Sequence, residues 1–451
     1  MSLSEALARF IVETRYESLP HDVVDFTKLC ILDWLGSAIA GEGKPPVQMI
    51  KAMIEEMGGR PQATLVTGGK SSVLNAALVN GAASHVVELD DIHKASIVHA
   101  ATVVIPAALA IAEWQGNSGK ELIAAVAIGY DVCYRIGEAV SPSHYDYWHN
   151  TATCGTFGAA AAAAKLLDLT LEQTIHALGN AGTQAAGLWE FIEDGAMSKQ
   201  LHPGKAAMNG VLAAILAKKG FTAAKKILEG KRGFFRAMAR DADETKITQG
   251  LGETFKIKEN SFKIHASCRH THPAIDLALE IVKERGVTPD QIERIQVKGY
   301  RAVLDITDNP QPETVYAAKF SVQFCTALAF AKGQAGLADF HEGNLRDPVI
   351  RELMGRVETS IDAEIDAAYP KKWGTVLEVT LRNGERIVKQ TDFPKGDPEN
   401  PVSASELTDK FKRLAGHLPA EKVENYVRRV MGMEEVGNMS AFFSIEERGE
   451  T

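Results

Sequence analysis

Two runs of small residues constrain this chain more than any other feature. One is Gly155-Thr156-Phe157-Gly158 followed by six alanines and Lys165-Leu166-Leu167; the other is Gly204-Lys205-Ala206-Ala207-Met208-Asn209-Gly210, continuing through Ala213-Ala214 to Gly220. Small residues let helices approach closely, so the simplest reading is an all-helical core. Apolar residues at three- and four-residue spacing support it over 4–17, 22–41, 47–57 and 71–87. Glycines at Gly41, Gly58-Gly59, Gly116 and Gly119 punctuate the pattern.

The character changes after about residue 260. Residues 291–300 alternate apolar and polar side chains, as a half-buried strand does. Residues 374–381 and 386–392 read as a hairpin, with Asn383-Gly384 predicting a two-residue type I′ turn. Helical patterns over 273–286 and 317–332 lie between the strands, and the chain is helical again from Ser403. The predicted fold is mainly α with an inserted α+β domain. An all-helical large domain takes 1–260 and 396–451, and a smaller α+β domain takes 261–395.

Composition removes several function classes. With 49 basic against 58 acidic residues the net charge is −9, and no long basic run exists to neutralise phosphates, so no nucleic-acid partner is expected. Apolar stretches fall short of the ~18 residues that a membrane span needs, so no membrane partner is expected either. Cys30, Cys133, Cys154, Cys268 and Cys325 are scattered with no Cys-x-x-Cys pair, which argues against metal–thiolate sites and suits a reducing, cytoplasmic setting. The N-terminus reads as an amphipathic helix without the features of a signal peptide. No Gly-rich dinucleotide fingerprint follows a strand and no P-loop is present, so cofactors for hydride or phosphoryl transfer are not expected.

Four windows carry chemistry. Residues 85–99 hold three carboxylates, three imidazoles and one lysine beside an apolar run. Asp90, Asp91 and His93, with His99 six positions on, fit metal ligation, a proton-transfer set or structural pairing; carboxylates beside histidines poise acid/base groups near neutrality. His149 falls at the start of the first Ala-rich helix, where free N–H groups attract an anion. Lys199 and His202 precede Pro203, which fits the first turn of the next helix, and make a second anion site. Lys263, His265, Arg269, His270 and His272 crowd the expected domain boundary. No standard zinc spacing occurs there, so an anion-binding edge is preferred and no metal is expected. Cys268 reads as a small buried residue rather than a nucleophile. Basic groups around a few carboxylates in an acidic protein suit a small polycarboxylate.

Together these windows resemble the MmgE/PrpD family. The matching segments are NGAASHVVELDDIH with His99 following, WHNTATCGTFGAAAAAAKLL, MSKQLHPGKAAMNG, SCRHTHPAID and AAKFSVQFCTALAFAKG. Members include 2-methylcitrate dehydratases, cis-aconitate decarboxylases and iminodisuccinate epimerases. The resemblance implies one helical domain built from both ends of the chain, an inserted α+β lid, and a homodimer. It places Asp90, Asp91 and His93 at the active-site rim and gives His99 a proton-transfer role. His149, Lys199 and His202 fall on family site positions, and His272 lies in the segment carrying the lid to the site. Three departures from the family pattern stand out: Ile92 stands where the family usually has Thr or Ser, Ala100-Ala101 follow His99 where Pro-Gly or Pro-Ser is usual, and the hydroxyl of the tyrosine that many members have near Phe324 is absent.

The resulting expectation is a cofactor-independent lyase that dehydrates or decarboxylates a small di- or tricarboxylate. His99 is its main acid/base group, tuned by Asp90 and His93, and His149 and Lys199 grip carboxylates. Asp91, His202, Lys263, Arg269 and His272 are the expected substrate-binding residues. An epimerase of a small dicarboxylate is the alternative. Further rivals are a non-catalytic carboxylate-binding protein and a metal-dependent hydrolase.

Overall fold

The computed structural model describes residues 1–443. Two compact units emerge, one of Met1–Asn260 with the chain from Ser403 onward, the other of Ser261–Val402.

The first unit is helical. Leu3–Glu13, His21–Ala40, Pro45–Met57, Val73–His85, Ala101–Gln115, Gly119–Val140, Asn150–Leu166, Leu171–Gly182 and Ser198–Lys218 come before the break, and Ala404–Leu414 and Ala420–Met431 after it. Side chains mark the starts: Ser118 with Glu121, and Ser403 with Glu406, form capping boxes. The small residues act as their placement predicts. Where Val73–His85 meets Ser198–Lys218, a Cβ on Gly204 would lie 2.2 Å from the Leu78 carbonyl oxygen. A Cβ on Gly158 would lie 2.7 Å from the Gly129 carbonyl oxygen. The backbones are already in contact, so one added methyl costs roughly 1–3 kcal/mol. The first crossing sets Lys199 and His202 against the end of the Val73–His85 helix.

One boundary differs from expectation. The Ser198–Lys218 helix starts five residues before Pro203, so Lys199 and His202 lie in its first turns and Pro203 lies inside it. Proline there forfeits only the bond to the Lys199 carbonyl, and the close packing of Gly204 holds the helix against that loss.

The second unit carries a mixed four-stranded sheet in the order Val357–Ile361, Ile292–Gly299, Thr375–Leu381, Arg386–Thr391; the first pair is parallel and the others antiparallel. Val357–Ile361 was not foreseen; it is short, and its burial does not alternate cleanly. The hairpin is as expected but its turn is not. Gly384 N–H donates to Leu381 O at 2.9 Å and Leu381 N–H to Glu385 O at 2.8 Å, giving a three-residue loop. Only Gly384 takes positive φ, +86°, whereas a type I′ turn requires it at Asn383 too; the loop is a type I turn closed by a glycine bulge. The helix expected over 317–332 breaks into Val315–Ala318 and Val322–Lys332, because Ser321 Oγ accepts the Phe324 N–H and caps a new start. The unit also runs past residue 395 to Val402, since Gly396 bonds Phe262 and Asn400. Among the described residues no helix is long and apolar enough to cross a membrane.

Candidate active site

Residues 86–100 join Val73–His85 to Ala101–Gln115 as an irregular, almost wholly buried segment. Glu88 (φ 59°) and Ile97 (φ 52°) adopt left-handed backbone, costly for non-glycine residues and kept only where the surroundings impose it. The surroundings here are specific. Lys410, on the returning Ala404–Leu414 helix, donates to the Leu89 carbonyl at 2.7 Å and pairs with buried Asp33 at 2.6 Å. Asn150 Nδ2 donates to Ser96 O at 2.7 Å, and His99 N–H donates to Thr151 Oγ1 at 3.1 Å.

This support aims three side chains at one another. Asp90 Oδ2 lies 2.8 Å from His85 Nδ1 and 2.9 Å from His99 Nδ1, all buried. Burial pushes the Asp90 carboxyl up, but the two imidazoles hold it well below the usual carboxylate range. Ionised, it only accepts, so each Nδ1 carries the hydrogen. His99 Nδ1 also lies 2.5 Å from the Asp91 carbonyl oxygen, which demands the same tautomer. Nε2 is then the basic nitrogen of a neutral His99, the arrangement that a general base requires.

A line of rings continues from this triad. His85 lies 5.2 Å from His99 and 5.8 Å from His149, and His149 lies 5.3 Å from His202, centroid to centroid. His149 precedes the Asn150–Leu166 helix as expected, but its ring makes no cap bond. Its Nδ1 meets His202 Nδ1 at 3.1 Å, so one ring donates to the other's lone pair. Burial, then His202, His85 and Lys199, drive His149 well below its ordinary value; burial, then His85, Lys205 and Lys199, bring His202 down to about 4. Trp189 and Phe191 pack on His149 at 5.1 and 6.1 Å. Lys199, buried, is ion-paired to Glu88 Oε1.

Asp91 faces another way. Tyr130 OH and Asn260 Nδ2 donate to its Oδ2 at 2.7 and 2.9 Å, and Ala101 N–H to its Oδ1 at 3.1 Å. Burial with no cation among these partners raises its carboxyl to about 7. Asp91 therefore anchors the next helix start rather than presenting a carboxylate to substrate. His93, expected to tune His99, also turns elsewhere. It bonds Ser96 Oγ at 2.8 Å and Glu259 at 3.3 Å, and stacks on Tyr134 at 4.2 Å. A tight reversal, with His93 N–H bonded to Val98 O, separates it from His99.

Among the described residues two groups place three possible metal donors within 4.8 Å of one another: His85–Asp90–His99 and His93–Glu138–Glu259. In the second, Lys256 Nζ already bridges Glu138 at 2.9 Å and Glu259 at 3.1 Å, filling a cation's role.

Arg269 and His272 are held by partners within the second unit. Arg269 pairs with Asp397 and donates to Lys395 O at 3.1 Å and to His272 Nδ1 at 3.0 Å; His272 Nε2 lies 3.3 Å from Ser267 O. Lys263 is buried. With both ring nitrogens engaged, His272 is a loop-holding residue in this geometry. All five cysteines are free and buried, Cys268 included.

Four participants went unselected in the sequence. His85 was legible as part of the crowded window but reads as the last residue of a small-residue helix. Glu88 carries no local signal for its pairing with Lys199, 111 positions away. Tyr130 sits mid-helix among apolar neighbours, and Asn260 has no motif.

Residues 5–246 match the MmgE/PrpD N-terminal domain and residues 265–431 the MmgE/PrpD C-terminal domain. The chain belongs to the MmgE/PrpD family. Its relatives within that family include a cis-aconitate decarboxylase of Aspergillus terreus, 28% identical over 95% of this chain and 92% of that protein. A human cis-aconitate decarboxylase is 26% identical over 98% and 94%, respectively. A cis-aconitate decarboxylase-like protein of Aspergillus oryzae is 25% identical over 98% and 97%. The MmgE/PrpD N-terminal match spans Asp90, His99, His149 and Lys199.

Proposed function

We propose that this protein is a lyase for a small di- or tricarboxylate, acting through proton transfer at the carbon next to a carboxylate. The observation that carries the reading is the Asp90-bound tautomer of His99. A buried, ionised carboxylate holds Nδ1–H and leaves Nε2 basic, while supporting the imidazolium that forms when a proton is taken. The names of the relatives support a tricarboxylate as the ligand.

Chemistry follows from the residues. His99 Nε2 takes the C–H proton, and the electron pair enters an enolate-like carboxylate. Lys199 and the His149–His202 pair stabilise that charge. Dehydration is completed when hydroxide leaves from the neighbouring carbon and is protonated to water. In decarboxylation the C–CO2 bond breaks first, and protonated His99 delivers its proton to the carbon. Neutral His149 and His202 suit an anion pocket, because carboxylate binding raises their basicity and draws in protons.

The test is an NMR screen in D2O with citrate, cis-aconitate and smaller dicarboxylates, on wild type and His99→Gln. Loss of water or CO2 from one substrate, reduced about 10²–10⁴-fold in the variant, is the expected result. Deuterium exchange with no net product overturns the lyase reading in favour of an epimerase, and wild-type turnover by His99→Gln overturns the role of His99.

A further inference from the structure

His85 has no part in the chemistry so far, yet its surroundings are those of a working group. It is fully buried at the end of the Val73–His85 helix, and its Nδ1 shares Asp90 Oδ2 with His99. Its Nε2 is buried with no hydrogen-bond partner among the described residues. Buried polar atoms are almost always satisfied, so an orphan beside a candidate base marks a place for a ligand atom. The ring stands between His99 at 5.2 Å and His149 at 5.8 Å, between the base and the carboxylate-binding pair.

We propose that His85 is a second acid/base residue of this site, with its Nε2 meeting the substrate's leaving oxygen. The inference rests on the lyase reading and narrows it to a hydroxyl-bearing polycarboxylate. In the step, His99 Nε2 takes the C–H proton, the C–H electrons form the C=C bond, and the C–O bond breaks with its pair on oxygen. Imidazolium His85 gives its Nε2 proton to that oxygen, and water leaves. One proton enters His99 as one leaves His85, so Asp90 faces one imidazolium before and after. The buried triad keeps its net charge through the step, which avoids the cost of creating charge away from water. Protons exchanged with solvent then reset the pair. Decarboxylation needs a single proton, delivered to carbon, and would leave His85 unused. Among the described residues the other charged or titratable groups around the triad are Asp91 and Asp33, which face Asp90, and His149, His202 and Lys199, which face the two imidazoles.

Two substitutions separate the roles. In His85→Asn the amide nitrogen replaces Nδ1–H toward Asp90 but nothing replaces Nε2; in His85→Gln the amide reaches toward the Nε2 position. The expected result for His85→Asn is water loss slowed by about 10²-fold or more, with tricarballylate, a tricarboxylate probe that has no hydroxyl to lose, bound within about threefold of wild type. Exchange of the substrate C–H with D2O should persist, since His99 still works, and the limb of the kcat–pH profile belonging to the acid should disappear. Wild-type kcat in His85→Asn overturns the proposal, as does joint loss of exchange and turnover in a folded variant, which would make His85 a positioning residue for His99. Loss of CO2 rather than water by wild type, unaffected by His85→Asn, keeps the lyase reading and overturns this one. No turnover, exchange or tricarballylate binding by wild type overturns both. Should neither variant fold, the imidazole NMR signals of the wild type decide: a His85 signal unmoved at saturating tricarballylate overturns the contact, and a shifted one supports it.

Discussion

Residues 85–99 and 263–272 both crowd imidazoles with charge, and they do different things with it. In the first, His85 and His99 converge on one ionised carboxylate through Nδ1, which sets the tautomer of both rings. In the second, every histidine bonds a different partner: His265 meets Asp276 at 2.8 Å, His270 meets Tyr300 OH at 2.6 Å and stacks on Trp373 at 4.6 Å, and His272 lies between Arg269 and Ser267. Burial, then Lys263 and Arg269, push His270 down to about 3, so it stays neutral at physiological pH. The lesson is that crowding alone does not align imidazoles; shared attachment to a buried anion does, because the anion can sustain a charged imidazole away from water.

The largest expected effect tests that anion. Asp90→Asn offers both imidazoles an amide and frees their tautomers, so kcat should fall by roughly 10³–10⁴-fold, the scale seen when a triad carboxylate is neutralised. Steady-state kinetics check it, and a fall under tenfold would remove the distinction between the two regions. Next come the buried ion pairs, one in each region's unit. Lys199→Met strips Glu88 of its ammonium, and Arg269→Met strips Asp397 of its guanidinium. Each should destabilise by about 3–5 kcal/mol in urea unfolding. The kinetics should separate them: Lys199→Met raises KM steeply, whereas Arg269→Met, read below its unfolding transition, leaves KM close to wild type. A steep rise in KM for Arg269→Met would return the second cluster to substrate binding.

A smaller effect distinguishes Asp91 from its neighbour. Its folded pKa of about 7 lies above the unfolded value of about 3.9, so the folded state holds the extra proton. That stability is fully present below the unfolded value and is lost as pH rises toward 7, a slope of at most ~1.4 kcal/mol per pH unit. Asp91→Asn should remove this contribution, so the difference in unfolding free energy between variant and wild type should change from pH 4 to pH 7 and level off above. A constant difference across that range would show that Asp91 is ionised in the folded protein. His202 works in the opposite sense. With its folded value at about 4, below the ordinary 6.5, its contribution is present above 6.5 and is lost as pH falls toward 4. His202→Asn should blunt acid unfolding in that window by a fraction of a pH unit.

Much of the architecture was legible because its signals are local. The His21–Ala40 helix and the Ile292–Gly299 strand follow from the spacing of apolar residues over a few turns or pleats. Asp90, His99, His149 and Lys199 were recognisable as candidates from residue type and placement. Their partnerships were not. Lys410 holds the Leu89 carbonyl across 321 positions and Tyr130 meets Asp91 across 39, and no periodic pattern encodes such pairs. Pro203 misled because a proline near a helix start resembles one at the start, and only the folded backbone shows that the helix begins at Ser198.

By itself the sequence determined the helical core and the strand-bearing insert, because small-residue runs and two-residue alternation act through neighbours on the chain. It also determined which side chains were available for proton chemistry. The tertiary structure decided which of two adjacent aspartates is a charged anchor for imidazoles and which a near-neutral brace. Asp90 and Asp91 are the same residue type one position apart. What differs is that the strained turn at Glu88 and the grip of Lys410 direct one toward His85 and His99 and the other toward Tyr130 and Asn260. Ionisation follows the partner and the burial, and both are properties of the fold.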